Sequence, residues 1–338
     1  MKSVVFRSML ASTALTAVLF SAIPQAAAAD PNIGILIYKY DDTYISTVRN
    51  ALDKALTAKA AKFTMQDGKG DQATQNDQLD VMIARQMNGL VVNMVDAQAA
   101  QGVVNKIKAA GVPVVFFNRE PSADVIKSYD KAIFVGTNAA DAGKMQGDII
   151  KKLWDEHPEY DVNKDGKFQY VLFKGEPDNP EAIARSEWSV KQAEINGVKM
   201  EQIGQTFVAN WDTAQAQAAM ESALAANAGK IELVIANNDS MAMGAIAALS
   251  SIGYNLEGGN KFMPVVGVDA TEQAVDAIKR GIMSATVKQD GEAMGNAVSA
   301  VILNAVAGKP WLEGTDYKFD DSGIAVRIPY SPYLGEKK

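Results

Sequence analysis

Short runs of consecutive apolar residues alternate with helix-like segments along nearly the whole chain. Residues 33–38 (IGILIY) and 112–117 (VPVVFF) are apolar at almost every position, which predicts strands buried on both faces of a sheet. Between such runs, apolar residues recur at helical spacing, as at Ile45, Val48 and Leu52. Buried strands separated by helices predict an α/β fold with a parallel sheet covered on both faces.

The same alternation begins again at residue 139. A predicted helix at 139–154 leads into an apolar strand at 168–173, a further strand at 199–207 and apolar strands at 232–237 and 264–269. Two such units with short connections predict two doubly wound parallel-sheet domains, joined by a hinge and facing a shared cleft. We expect the N-terminal lobe to comprise residues 30–138 plus 289–320, and the C-terminal lobe to comprise residues 139–288 plus 321–338.

The first 29 residues have the organisation of a secretory signal peptide. Lys2 and Arg7 precede an apolar segment at 9–23, and four consecutive alanines follow Pro24 before Asp30. A basic start, a short apolar stretch and small residues at the cleavage site are the three parts of such a signal. We therefore predict that residues 1–29 are removed by cleavage near Ala28 or Ala29, and that the mature protein is exported.

The composition excludes several classes of function. The chain has no cysteine, which excludes thiolate chemistry and disulfides. It has one histidine, His157, so a metal site built from several histidines is also excluded. Its formal net charge is −7, and removal of Lys2 and Arg7 makes it −9. Because nucleic acids and anionic membranes attract basic surfaces, neither is an expected partner.

Polar and aromatic residues follow most of the predicted strands. In open parallel sheets, ligands bind beyond the carboxyl ends of the strands. Carboxylates, amides and arginine bind hydroxyl groups in fixed geometry, and Tyr44 and Trp211 could stack on the two faces of a pyranose ring. Alternatively, such residues are turn formers or helix N-caps, and we expect this for Asp239. The strand-end residues are Asp41, Asp42, Tyr44, Asn118, Arg119, Glu120, Asp178, Asn179, Glu181, Arg185, Trp211, Asn237, Asn238, Asp239, Asp269, Gln289 and Asp290.

An oxygen-rich turn precedes the first strand of the second unit. Its pattern, D-x-N-x-D-G-x-x-Q, matches the first nine positions of an EF-hand calcium loop. The twelfth position, which should be a bidentate glutamate, is Leu172, so another carboxylate must come from elsewhere in the chain. The alternative is a solvated Asx/Gly turn. The oxygen donors would be Asp161, Asn163, Asp165, the Lys167 carbonyl and Gln169, with Gly166 at the sharp turn.

Several ordered stretches of the chain resemble one known family over nearly all of the mature sequence. They include IYKYDD (37–42), NDQLDVMIA (76–84), VPVVFFNREPS (112–122), NWDTAQA (210–216), KIELVIANND (230–239) and VVGVDA (265–270). These resemble the periplasmic galactose/glucose-binding proteins of ABC importers. The resemblance implies the type I periplasmic binding protein fold and a periplasmic location.

The resemblance also implies site residues. In this family the calcium loop is completed by a glutamate at the position of Glu232, which implies a structural Ca²⁺ held by Asp161, Asn163, Asp165, Lys167, Gln169 and Glu232. The implied sugar contacts are Asp42, Tyr44, Asn118, Asn179, Glu181, Arg185, Trp211, Asn238, Asp269 and Gln289.

Four of the implied sugar contacts depart from the family pattern. Close relatives carry Phe at the position of Tyr44, His at Asn179, Asp at Glu181 and Asn at Gln289. Because a cleft that surrounds a pyranose tolerates little change in volume, each misplaced polar partner costs about 1–3 kcal/mol. We therefore expect a pyranose of the galactose or glucose type, or a different monosaccharide or sugar derivative.

The expected function is non-catalytic. Sugar would bridge two hinged lobes, and the closed form would deliver it to a membrane permease with its ATPase. The resemblance adds a chemoreceptor as a second candidate partner and suggests a monomer. One rival is a glycosidase that uses two cleft carboxylates such as Asp42 and Glu181. Another is a sugar-responsive transcription regulator, which the signal peptide and the acidic charge disfavour.

Overall fold

The computed structural model describes Met1 and residues 30–335. The predicted signal peptide therefore lies outside the described residues, apart from Met1. Within the described part of the chain, no helix is both long enough and apolar enough to cross a bilayer.

The chain folds into two successive α/β units followed by a tail. The first unit contains β1 (Asn32–Ile37), α1 (Thr43–Ala58), β2 (Lys62–Asp67), α2 (Gln72–Ala84), β3 (Gly89–Val92), α3 (Ala100–Ala110), β4 (Val114–Phe117), α4 (Ala123–Lys127) and β5 (Ala132–Gly136). The second contains α5 (Ala139–Glu156), β6 (Phe168–Lys174), α6 (Pro180–Ile195), β7 (Met200–Gln202), β8 (Phe207–Val208), α7 (Thr213–Ala226), β9 (Leu233–Ala236), α8 (Asp239–Ser251), β10 (Val265–Asp269), α9 (Glu272–Lys279) and β11 (Ala285–Lys288). The tail contains α10 (Gly291–Val306), β12 (Ala325–Arg327) and β13 (Ser331–Tyr333).

Each unit is organised around its own, largely parallel sheet. The six-stranded N-terminal sheet has the order β12-β5-β4-β3-β1-β2, and the seven-stranded C-terminal sheet has the order β13-β11-β10-β9-β6-β7, with β8 also pairing with β6. Only β13, of the strands named above, joins its neighbour in antiparallel fashion. The predicted pair of doubly wound parallel-sheet domains is therefore confirmed.

Side chains along each strand point alternately to the two faces of the sheet, and helices cover both faces. In β1, Ile33, Ile35 and Ile37 pack into one hydrophobic cluster with α1 and α10, whereas Leu36 packs into another with α2 and α3. In β6, Phe173 and Leu172 likewise belong to clusters on opposite faces. Burial on both faces accounts for the continuous apolar runs in the sequence.

Within residues 30–335, the chain crosses between the lobes three times, and the third crossover differs from the sequence prediction. The crossovers lie between β5 and α5, between β11 and α10, and between β12 and β13. The predicted lobe boundary at residue 321 is wrong, because β12 pairs with β5 of the N-terminal sheet. Only β13 returns to the C-terminal sheet, where it pairs with β11. Residues 328–330 therefore form the third crossover.

Some local elements also differ from their predictions. The strand expected at 199–207 is two short strands, β7 and β8, which pair with different ends of β6. The short helix α4 and the strand β13 had no clear periodicity in the sequence. Short elements carry too few residues to show a period, so tertiary contacts decide them.

A close approach between α1 and α10 depends on a glycine. A Cβ on Gly295 would lie 2.6 Å from the Ala51 Cβ and 2.8 Å from the Val48 carbonyl oxygen. Because backbone atoms cannot move aside cheaply, we expect Gly295→Ala to lower the free energy of unfolding by about 1–3 kcal/mol in urea titrations.

Gly102→Ala is the matched control, since a Cβ there would meet no heavy atom within 4 Å in α3. It should raise stability by up to about 1 kcal/mol through helix propensity. Equal effects of the two substitutions would contradict the assignment of a packing role to Gly295.

Candidate functional site

All ten residues proposed as sugar contacts line one cavity between the lobes. The cavity contains about 350 Å³ of space that no protein atom fills, part of which is open to solvent. Tyr38, Ile45 and Arg119 line it as well. The remaining lining residues are Asp42, Tyr44, Asn118, Asn179, Glu181, Arg185, Trp211, Asn238, Asp269 and Gln289.

The N-terminal lobe supplies one wall from the ends of β1 and β4. Asp42 is the N-cap of α1, and its Oδ1 accepts a hydrogen bond from the Ile45 amide at 2.7 Å. Its Oδ2 accepts a hydrogen bond from the Tyr38 hydroxyl. Asn118 adopts a left-handed backbone conformation, with φ of 60°, directly after β4. Capping and cavity lining are therefore compatible roles for Asp42.

Trp211 forms part of the opposite wall in the C-terminal lobe. It has φ of 65°, and a Cβ on Gly175 would lie 2.2 Å from its ring. The indole therefore rests on the backbone at the end of β6, where only glycine leaves room. Its buried Nε1 has no hydrogen-bond partner among the described residues.

Asn179 and Asn238 also cap helices at the cavity. The Asn179 Oδ1 accepts hydrogen bonds from the amides of Glu181 and Ala182 at the start of α6. The Asn238 Oδ1 accepts one from the Met241 amide at the start of α8. The prediction that Asp239 caps α8 is wrong, because Asn238 holds that position.

Arg185 lies at the centre of the polar network and is 2% exposed. Its Nη2 is 2.9 Å from Glu181 Oε2, 2.8 Å from Gln289 Oε1 and 2.9 Å from the Tyr330 hydroxyl. Its Nη1 donates to the Asn237 carbonyl oxygen at 2.9 Å. Buried charges are stable only when paired and hydrogen-bonded, so these contacts fix the guanidinium.

The Arg185 network reaches all three crossovers between the lobes. Gln289 lies in the second crossover and Tyr330 in the third. The Tyr330 hydroxyl donates to Thr137 Oγ1 in the first crossover, and Thr137 Oγ1 donates to Glu181 Oε1. The side chain of Glu181 is thereby held at both oxygens. The network connects the cavity wall to the hinge.

Three buried nitrogen atoms of the cavity residues lack hydrogen-bond partners. Besides the Trp211 indole, the Arg185 Nε and the Gln289 Nε2 have no partner among the described residues. Because buried polar atoms are normally satisfied, these N–H groups call for acceptor oxygens from a water molecule or a ligand.

Two buried aspartates, Asp269 and Asp239, interact electrostatically near the cavity. Burial raises the pKa of Asp269 well above its usual range, although the nearby Arg185 lowers it. Burial also raises the pKa of Asp239 to about 7. Asp239 accepts hydrogen bonds from the Thr286 hydroxyl at 2.6 Å and the Thr271 amide at 2.8 Å, so it positions the loop after β10 rather than lining the cavity.

The oxygen-rich turn forms a compact loop closed by Glu232. Glu232 Oε1 accepts a hydrogen bond from the Val162 amide at 2.7 Å, and both carboxylate oxygens of Asp161 accept backbone amides of the turn. Gly166 has φ of 77°, and the buried Gln169 Oε1 has no partner among the described residues.

The loop is not a ready-made cluster of carboxylates. Within residues 30–335, no group of three or more His, Cys, Asp or Glu side chains is arranged to hold a metal ion. A cation here would depend on amide and carbonyl oxygens from Asn163, Lys167 and Gln169 as well as on carboxylates, a donor set that suits calcium.

Sequence reasoning missed some residues of the site. Tyr38 and Arg119 line the cavity, and Thr137 and Tyr330 connect it to the hinge. Arg119 did follow a predicted strand, which was a usable signal. Tyr330 lies in a crossover that no periodicity marks, so its role depends on tertiary structure.

Comparisons with known proteins agree on one family. Residues 33–310 match the periplasmic binding protein domain. The chain is 38% identical to the D-galactose/methyl-galactoside binding periplasmic protein MglB of Haemophilus influenzae, covering 94% of each chain. It is 32% identical to a putative rhizopine-binding protein of Rhizobium meliloti, covering 80% of this chain and 84% of the relative.

A solved structure of an ABC transporter solute binding protein from Bacillus halodurans, with bound myo-inositol, is also similar. Its TM-score is 0.75 at 26% sequence identity, covering 91% of this chain and 96% of that chain.

The raised pKa of Asp239 predicts a pH dependence of stability. Between about pH 4 and 7 the folded protein keeps a proton that the unfolded chain releases, so the free energy of unfolding falls as the pH rises. Relative to Asp239→Asn, which cannot titrate, the wild type should lose at most about 1.4 kcal/mol per pH unit in this window. Urea titrations of the two ligand-free proteins at several pH values would measure this. If their free energies of unfolding change with pH in the same way, the prediction is wrong.

Proposed function

The chain belongs to the periplasmic binding protein domain family, and we propose that it is the substrate-binding protein of an ABC sugar importer. Its ligand is a neutral monosaccharide of the galactose or glucose type. The similarity to the galactose-binding relative over 94% of each chain supports this, and so does the composition of the cavity.

The observation that best supports sugar binding is the cavity, to which both lobes contribute polar and aromatic side chains. A sugar hydroxyl can accept a hydrogen bond from Arg185 or Gln289 and donate one to a carboxylate such as Asp269. Tyr44 and Trp211 line the cavity from different lobes, and aromatic rings suit the apolar C–H surface of a sugar.

Closure follows from this division of contacts. A ligand that touches both lobes only when they are together shifts the open–closed equilibrium toward the closed form. Arg185 connects this binding to the hinge, because its remaining N–H groups hold residues of the crossovers. The closed, monomeric protein then meets the permease with its ATPase in the periplasm, and a chemoreceptor is a second partner.

The residues that depart from the family pattern bear on ligand choice. Glu181 and Gln289 are longer than the residues of close relatives, and both direct side-chain oxygens to Arg185. Oxygens used in this way are less available to sugar hydroxyls. A different monosaccharide, or a cyclic polyol like the myo-inositol bound by a structural relative, is therefore the second candidate ligand.

The same contacts argue against a glycosidase. Asp42 is held by the Tyr38 hydroxyl and the Ile45 amide. Glu181 is held by Thr137 and Arg185. A general acid needs a free, protonated carboxyl group beside the glycosidic oxygen, and both carboxylates are occupied within the protein.

Removal of the Asp269 carboxylate tests the proposed binding site. We expect Asp269→Asn to weaken binding of the preferred monosaccharide by about 10–100-fold, since a buried sugar hydroxyl left without its acceptor costs about 1–3 kcal/mol. Calorimetric titration with galactose, glucose, xylose and myo-inositol would measure it, after the ligand retained through purification has been identified by mass spectrometry.

Asp178→Asn is the matched control, because Asp178 is exposed near the cleft and does not line the cavity. It should bind like the wild type. If the wild type binds none of these compounds, or if Asp269→Asn binds as tightly as the control, the proposed site is wrong.

We also propose a structural Ca²⁺ at the 161–169 loop, held by Asp161, Asn163, Asp165, the Lys167 carbonyl, Gln169 and Glu232. Support comes from the partnerless Gln169 Oε1 and from the contact between Glu232 and the loop. When bound, the ion would supply positive charge that joins the loop to the strand after Glu232. Its binding energy would add to the stability of the folded state.

Calcium removal should therefore lower the melting temperature. At a free Ca²⁺ concentration of 100 times Kd, the stabilisation should be about 2.7 kcal/mol relative to excess EGTA. Glu232→Gln should abolish most of the difference, whereas Glu201→Gln, which removes only the surface ion pair with Lys167, should retain it. Differential scanning calorimetry would measure both, and an equal response to Ca²⁺ in all three proteins would contradict the assignment.

A further inference from the structure

An ion pair connects the two lobes at the mouth of the cavity. Arg119 follows β4 in the N-terminal lobe, and Glu176 follows β6 in the C-terminal lobe. The pair is bidentate, with Nη2 2.9 Å from Oε1 and Nη1 2.9 Å from Oε2. Both residues line a pocket that opens beside the main cavity, but Glu176 does not line the main cavity itself.

The arginine is held firmly by its own lobe. Its guanidinium stacks over the Tyr38 ring at 3.7 Å, and Nη1 donates to the Val95 carbonyl oxygen at 2.7 Å. Arg119 is 6% exposed. Neither contact involves the C-terminal lobe, so separation of the lobes would leave Arg119 in place and remove only its carboxylate partner.

The glutamate is connected to the helix that carries the binding residues. Asn179 Nδ2 donates to Glu176 Oε2 at 3.2 Å, while Asn179 Oδ1 caps α6. Glu181 and Arg185 project from that helix. The side chain of Asn179 is thus used on both sides, by the helix terminus and by Glu176.

We propose that Arg119 and Glu176 form a closure latch, in which Glu176 stabilises the closed form and places α6 without itself contacting the sugar. Asn179 is then a positioning residue that connects the latch to α6, rather than a sugar contact. This inference rests on the proposed function, because it presumes that sugar binding and lobe closure are coupled.

The latch adds to affinity by favouring the conformation that is competent to bind. When that conformation is only partly populated, the apparent Kd is the intrinsic Kd divided by its population. Contacts made only in the closed form therefore tighten the binding of every ligand by the same factor. Because the Glu176 side chain is 36% exposed, the effect should be modest and should weaken with added salt.

Glu176→Gln tests the latch. It removes the charge and keeps the shape, so the affinity for every compound that the wild type binds should fall by about 3–10-fold, with the rank order unchanged. The dissociation rate should rise, and the deficit relative to wild type should shrink between 20 mM and 500 mM NaCl. Glu176→Asp, which keeps the charge, should recover part of the loss.

Glu120, which follows Arg119 in the sequence, provides a matched control. Glu120 forms a bidentate pair with Arg327, with both distances at 2.7 Å, and its side chain is 34% exposed. Both partners belong to the N-terminal lobe, because Arg327 lies in β12. Glu120→Gln should therefore leave affinity and its salt dependence as in the wild type.

The outcomes separate the latch from the proposed function. If the wild type binds no sugar or polyol, both the proposed function and the latch that rests on it are wrong. If the wild type binds but Glu176→Gln behaves like Glu120→Gln, the latch is wrong and the binding function stands. A changed rank order of ligands in Glu176→Gln would also overturn the latch, because it would indicate direct contact between Glu176 and the ligand.

Discussion

The burial of one positive charge organises the cleft. Arg185 is 2% exposed, and a buried guanidinium is tolerated only when its donors are paired. Its partners come from α6, from the end of β9 and from two of the three crossovers, and Thr137 extends the network to the first. The charge therefore makes the binding cavity and the hinge parts of one network.

Much of this fold could be predicted from the sequence because its strands are buried on both faces. The apolar runs, the two successive α/β units and the polar strand ends all follow from that constraint. The ten candidate contacts came from strand ends and a family resemblance, and the structure brings all of them to one cavity. The prediction that such residues act as caps is also confirmed for Asp42, Asn179 and Asn238, since each both caps a helix and lines the cavity.

The remainder depends on contacts between residues that are distant in sequence. Tyr330 and Arg185 are 145 positions apart, and the crossover that carries Tyr330 has no periodic pattern. The wrong boundary at residue 321 has the same origin, because a three-residue strand such as β12 is assigned by its pairing with β5 and not by its own residues. The wrong prediction of Asp239 as the cap of α8 shows the same limit. Its carboxylate instead accepts hydrogen bonds from the Thr271 amide, which follows β10, and from the Thr286 hydroxyl in β11.

We propose that a small sugar holds the two lobes together, and that this closure is the protein's function. Small-angle X-ray scattering of the protein with and without its tightest-binding monosaccharide tests the proposal most directly. The radius of gyration should fall on saturation with ligand, because the cavity is formed by both lobes. If the ligand-free protein is open in solution and its radius of gyration does not change on saturation with ligand, the proposal is wrong.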